Sequence, residues 1–239
     1  MKHYKTNAQL SADARRSLLG HISTAVWSLL LYTVLNFFLE QIAGSLTFGN
    51  QILDLAILLC ARFITVLFGS LFGIGLDAVF LKLQYEQPAS FRDLFLCFRG
   101  NADRAVKARS FVTLGEVICL LPMQILAFLT PDSEILARLP VLLIICAVCI
   151  AAYIAWSLTY AMVNYLLLDF PEMESGKILR AARTMMRGNR IRLFLLLFRL
   201  VPMHLLGIFS FGVANLYAGS CQHACSAAFY KDIMEQHAR

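Results

Sequence analysis

Apolar residues in this chain gather into six long runs, and the polar residues between them are mostly basic. A membrane-crossing helix needs about 20 predominantly apolar residues. The runs predict spans at about 21–39, 52–81, 111–130, 139–168, 193–209 and 213–230. Three other segments, at about 7–19, 90–100 and 174–188, follow the 3.6-residue helical period and predict amphipathic helices at an interface. The third is the clearest. Lys177, Arg180, Arg183, Arg187 and Arg190 share one broad face, while Ile178, Leu179, Ala182, Met185 and Met186 share the other. Gly188-Asn189 then stops the helix, and an apolar run begins at Leu193. The middle segment opens on Ser90-x-x-Asp93, a capping-box spacing, and sets Phe91, Leu94, Phe95 and Phe98 in one stripe. Each amphipathic segment precedes a pair of spans. The pattern predicts an all-α polytopic membrane protein, a single integral domain over residues 1–239, with six transmembrane helices in three amphipathic-helix-plus-hairpin units.

The joints of these units repeat in sequence: Arg16-Ser17-Leu18-Leu19-Gly20-His21, Leu96-Cys97-Phe98-Arg99-Gly100-Asn101 and Thr184-Met185-Met186-Arg187-Gly188-Asn189. Within the spans, Gly69-xxx-Gly73 followed by Gly75 predicts close approach of a second helix. Ala147, Ala151 and Ala155 give the fourth span a small-residue face, Pro122 predicts a kink in the third, and Asp169-Phe170-Pro171 ends the fourth. Ser210-Phe211-Gly212 reads as a tight external turn. One long helix there, making five spans, is the alternative.

Charge favours six. Of 21 Lys and Arg, 18 fall in the N-terminal segment, the loops over 82–109 and 169–192, and the tail. Arg138 alone lies on the opposite side, and residues 40–51 contain no Lys or Arg. By the positive-inside rule both termini are cytoplasmic. The chain is 59% hydrophobic and 15% charged, with a mean hydropathy of +0.68. Soluble domains average roughly 45–50% apolar and about 25% charged. The net charge of +6 sits between apolar runs and not on a soluble basic module, so no nucleic-acid partner is expected. A cleaved leader is not expected either: the segment before His21 is long and mixed in charge, and the first run exceeds a leader's apolar core.

Charged residues inside apolar spans are costly and form the candidate polar site: Arg62, Asp77, Glu116 and Arg199. Asp77, Glu116 and Arg199 each lie five or six residues from the cytoplasmic end of a different span. That places all three about 8–9 Å below the inner boundary, where Arg199 can fork two carboxylates. Snorkelling to the headgroups is the plainer role. Arg62 falls near mid-membrane with no partner at its depth; a polar cavity, Asn164, Tyr160 or a helix end would serve.

Cys221-x-His223-x-Cys225, near His204, has the composition of a metal site. Its spacing argues against one, since His223 points away from the two cysteines on a helix. No metal or cofactor is expected. The seven cysteines lie in apolar spans or, for Cys97, on an amphipathic helix, and predict no disulfide framework. No phosphate-binding loop, His-Glu-x-x-His or nucleophile elbow is present in the sequence, and no catalytic residues are assigned.

Tyr160-Ala161-Met162, Tyr165, Asp169, Pro171, Met185 to Arg190, Phe194, Leu206-Gly207, Ser210, Gly212-Val213 and Phe229-Tyr230 carry a resemblance. On them the last third of the chain resembles a bacterial membrane-protein family, the domain of unknown function nine-seven-five. The first two-thirds follow it in layout alone. Arg199 to Met203 stands where that family usually reads Ser-Phe-Ile-Gly-Trp, and Ser220-Cys221 where it reads Pro-Tyr. The resemblance implies a membrane location and six spans, without an activity.

These features lead to an expected non-enzymatic accessory, assembly or lipid-interacting protein of the bacterial cytoplasmic membrane. Its basic helix, from Lys177 to Arg190, would meet anionic headgroups or a membrane-protein partner. The alternative is a small-solute transporter or permease, with Arg62, Asp77, Glu116 and Arg199 lining the path. A lipid-modifying enzyme using Asp77 or Glu116 is a third, weaker reading.

Overall fold

The computed structural model describes residues 5–45, 51–99, 102–129, 135–210 and 212–237. Among them every regular element is helical. In chain order these are α1 (Asn7–Leu18), α2 (Ile22–Gly44), α3 (Gln51–Gln84), a 3-10 helix (Phe91–Phe95) running into α4 (Leu96–Arg99), α5 (Ala102–Leu129), α6 (Ile135–Tyr160), α7 (Val163–Asp169), α8 (Ser175–Met186), α9 (Arg190–Phe198), α10 (Val201–Phe209) and α11 (Val213–His237). Among the described residues four stretches are long and apolar enough to cross a membrane: Ile22–Gly44, Ala56–Gln84, Ala102–Leu126 and Leu139–Asp169.

Local chemistry sets the starts and stops. Thr6 caps α1 in a capping box with Gln9, satisfying backbone donors that the first turn leaves free. Ser90 and Asp93 form the same device at the 3-10 helix, and Asp93 also pairs with Lys82 at 2.7 Å. The middle amphipathic segment is thus a 3-10 turn and one turn of α-helix. Of its aromatic stripe, Leu94 is fully buried, and Phe95 and Phe98 pack on Phe72.

The sequence repeat has a structural counterpart. Leu10, Ala14 and Leu18 of α1 correspond to Ile178, Ala182 and Met186 of α8, and all are buried. Gly20 and Gly188 both take φ +86°, a left-handed conformation that a side chain would strain. The turns that follow share their hydrogen bonds: His21 N–H donates to Leu18 O, and Asn189 N–H to Met186 O, each at 3.1 Å. Gly100, at the third joint, lies outside the described residues.

Four predicted spans take a different form. α5 begins at Ala102, well before 111, because nothing between Ala102 and Phe111 interrupts a helix. The run over 139–168 breaks at Ala161-Met162 into α6 and α7. The run over 193–209 becomes the nine-residue α9 and α10, separated at Arg199-Leu200. Pro202 explains that break: it has no N–H to offer Phe198 O, and its ring crowds the preceding turn. α11 continues past 230 to His237, since no Gly or Pro stops it.

The core lies toward one end of the bundle, where α1 packs on α3 and α11, and α8 packs on α5, α6 and α7. Phe80, Tyr165, Phe229 and Tyr230 are its largest buried members. Fully burying an apolar side chain contributes about 1.5–3 kcal/mol. Toward the other end, α2, α5 and α6 present apolar residues outward, including Phe37, Phe38, Ile118, Ile144 and Val148.

Candidate functional site: a polar cavity inside the bundle

Gly69 and Gly73 put the backbone of α3 directly against Asn36 and Tyr32 of α2. This close pairing, completed by α5, α6, α7 and α11, encloses a cavity of about 450 Å³. Its polar lining is unusual for an apolar bundle: Asp77, Arg109, Glu116, Asn164 and His223, with Glu40 at one end.

Asp77, at the deep end, is met by three donors from two other elements. Asn164 Nδ2 donates to Oδ2 at 2.6 Å, and the Tyr165 hydroxyl donates to Oδ1 at 3.3 Å. His223 Nδ1 lies 2.9 Å from Oδ1. An ionised carboxylate only accepts, so Nδ1 carries the hydrogen and the Asn164 amide turns its nitrogen inward. The His223 ring stacks on Phe80, with centroids 5.4 Å apart. A buried carboxylate needs this set, because leaving it unpaired costs several kcal/mol, roughly 3–5 for a pair broken from one side.

At the opposite end Arg62 pairs with Glu40 at 3.4 Å, and their side chains are 41% and 60% exposed. The Asp77 side chain is only 10% exposed. Glu40 thus marks the more exposed end of the cavity and Asp77 the more buried one. Between the ends, Arg109 and Glu116 face it from α5. Arg109 Nε and Asn164 Oδ1 are buried, and neither has a hydrogen-bond partner among the described residues.

Two of the four predicted intramembrane charges, Asp77 and Glu116, thus share one cavity, and Arg62 reaches its mouth through Glu40. Arg199 stands apart. Exposed at the break after α9, it adjoins a small gap beside Arg15, Cys221 and Cys225, on the side facing α1. Its depth suits a fork onto Asp77 and Glu116, but its direction does not. Asp77 is paired with His223 instead. That residue turns away from Cys221 and Cys225 as the helical period requires, and no group of three His, Cys, Asp or Glu able to hold a metal occurs among the described residues.

The basic helix α8 buries Ile178, Ala182, Met185 and Met186 and leaves Lys177, Arg180, Arg183 and Arg187 exposed, with Arg190 partly covered. Two other basic residues act as braces. Arg104 donates to the carbonyls of Leu167, Phe170 and Met173, holding the end of α7 beneath the cavity. Arg192 pairs with the buried Asp232 and donates to Lys5 O, tying α9, α11 and the N-terminus together. Sequence reasoning missed Arg109, Tyr165 and His223 as members of the site, and it offered Asn164 to Arg62, whereas Asn164 donates to Asp77 and Arg62 pairs with Glu40. The only signal was the Tyr165 and Asp169 motif, whose Asp169 accepts from Tyr230 at 2.7 Å just below the cavity floor.

The fold and site define an all-α bundle of apolar helices around a polar cavity. The chain belongs to the family described as protein of unknown function (DUF975), whose model matches residues 1–237. The match covers the whole chain, not only the last third on which the resemblance was drawn. Comparison with curated proteins and with solved structures returns no match.

Proposed function

We propose that this is an integral protein of the bacterial cytoplasmic membrane that binds a small polar solute in its central cavity and conducts it. The carrying observation is the cavity itself, polar along its length, more exposed at Glu40 and floored by the Asp77–His223 pair. In this reading the chain crosses six times, α9–α10 and α11 forming the last hairpin, with both termini cytoplasmic. The outward apolar faces of α2, α5 and α6 support that placement, as does the bias of Lys and Arg toward one side. The more buried end, packed beneath α1, α7 and α8, is then the cytoplasmic gate. Stopped-flow swelling of proteoliposomes in glycerol, glycine, acetate and ethylammonium tests the reading. At least one solute crosses faster than through protein-free vesicles, and Arg109→Gln or Glu116→Gln changes which one. Permeability equal to protein-free vesicles for every solute contradicts it.

A second reading keeps the accessory role, carried by the exposed basic face of α8. Clustered Lys and Arg near a cytoplasmic leaflet contribute about 1 kcal/mol each toward anionic lipid. Native mass spectrometry of the gently released protein should show retained anionic lipid or a partner. Neutralising Lys177, Arg180, Arg183 and Arg187 should remove it, and a bare wild-type protein contradicts this reading.

A further inference from the structure

Most charges at the cavity are already matched. Asp77 holds His223, Asn164 and Tyr165, and Glu40 holds Arg62. Arg109 and Glu116 are the exceptions. Among the described residues neither makes a hydrogen bond or ion pair, although both line the cavity. They lie seven residues apart on one face of α5, about 10.5 Å along its axis. A lone cation would leave Arg109 unmet, and a lone anion would leave Glu116 unmet. Both side chains are only partly exposed to solvent, where a charge without a counter-charge is unfavourable, so the favourable occupant carries both signs.

We propose that the cavity binds a small zwitterion, its carboxylate or phosphate on Arg109 and its ammonium on Glu116. This deepens the polar-solute reading above and rests on it. Arg109 offers its buried Nε and its terminal nitrogens to the acid group as a planar fork. Asn164 Oδ1, also buried and unpartnered, accepts one further hydrogen bond from the ligand. The axial separation of the two charges suits a solute whose amine and acid are several bonds apart, and the cavity of about 450 Å³ accommodates one of that size. The same pair of charges occurs in a free amino acid and in an ethanolamine phospholipid headgroup.

The test is a scintillation proximity assay of radiolabelled 4-aminobutyrate on the full-length protein in phosphatidylglycerol nanodiscs. Unlabelled 4-aminobutyrate should displace the label at concentrations at least about tenfold lower than butyrate or butylammonium, a difference of about 1.4 kcal/mol. Arg109→Gln should abolish the advantage over butylammonium, and Glu116→Gln the advantage over butyrate. Arg109→Lys, which keeps the charge without the fork, should weaken the zwitterion less than Arg109→Gln does. Each variant is checked for a monodisperse elution profile before use. Added phosphatidylethanolamine that displaces the label assigns the headgroup as the source; a label that stays bound assigns a soluble zwitterion. Equal competition by butylammonium in the wild type, or no binding at all, overturns the proposal. If solutes still cross proteoliposomes in that case, the zwitterion fails and the polar-solute reading stands. If none crosses, both fail.

Discussion

His223 Nδ1 lies 2.9 Å from Asp77 Oδ1, across 146 residues of chain. The contact joins α11 to α3 at the buried floor of the cavity, with Phe80 flanking the imidazole. Removing the carboxylate strands three donors at once. Asp77→Ala should cost about 3 kcal/mol or more in stability, with a smaller loss for Asp77→Asn, which keeps the shape. Thermal unfolding in detergent reads the difference. A midpoint unmoved by Asp77→Ala would mean that the donors are not held by this carboxylate.

Arg192 and Asp232 form a second pair, nearer the C-terminal end of α11. Asp232 is 2% exposed, so Asp232→Ala should destabilise by about 3–5 kcal/mol. The double variant Arg192→Leu/Asp232→Leu should recover part of that loss, because it leaves no buried charge alone. A double variant as unstable as the sum of the two singles would refute the coupling.

Gly75 touches the backbone of Leu94, and a Cβ there would run into the Leu94 carbonyl. Gly75→Ala should push the 3-10 helix off α3 at a cost of about 1–3 kcal/mol. Gly188→Ala has open space around it but a φ of +86°, and should cost about 1 kcal/mol through backbone strain alone. Near-equal and negligible shifts in both would contradict the two causes assigned.

Lys5 donates to Asp13 at 2.8 Å, and this hydrogen bond is the main cause holding its amine above the ordinary value of 10.5. A raised folded-state value means that the stabilisation is fully present below pH 10.5 and is lost as pH climbs through the folded-state value. Amide exchange at the start of α1 should therefore stay protected up to about pH 10 and then accelerate beyond the intrinsic base-catalysed rise. Lys5→Gln should remove that extra acceleration. With side chains 42% and 37% exposed, the effect is local and weakened by salt.

The amphipathic pattern of α8 was fully legible because helical period alone decides which residues share a face. So was the opposition of His223 to Cys221 and Cys225. Relations between helices were not. Asp77, Glu116 and Arg199 are expected from the sequence at similar depths, yet depth carries no information about the direction each helix turns. Arg199 faces α1, while His223 and Arg109 turn inward. Arg109 was hidden for another reason: it sits among the basic residues of a predicted loop, and only the early start of α5 brings it into the bundle. Asn164 and Tyr165 reach Asp77 because the helix breaks at Ala161-Met162, where the sequence offers neither Gly nor Pro as a signal.

The most direct test of a hydrated cavity open at Glu40 is sided cysteine labelling. With the seven native cysteines replaced, single cysteines go in at Thr65 and Ser157, which line the cavity, and at Val79, which is fully buried in the core. A membrane-impermeant thiosulfonate applied to intact oriented vesicles should modify Thr65→Cys and Ser157→Cys from the extracellular face and leave Val79→Cys untouched. Thr65→Cys and Ser157→Cys as unreactive as Val79→Cys would contradict the cavity.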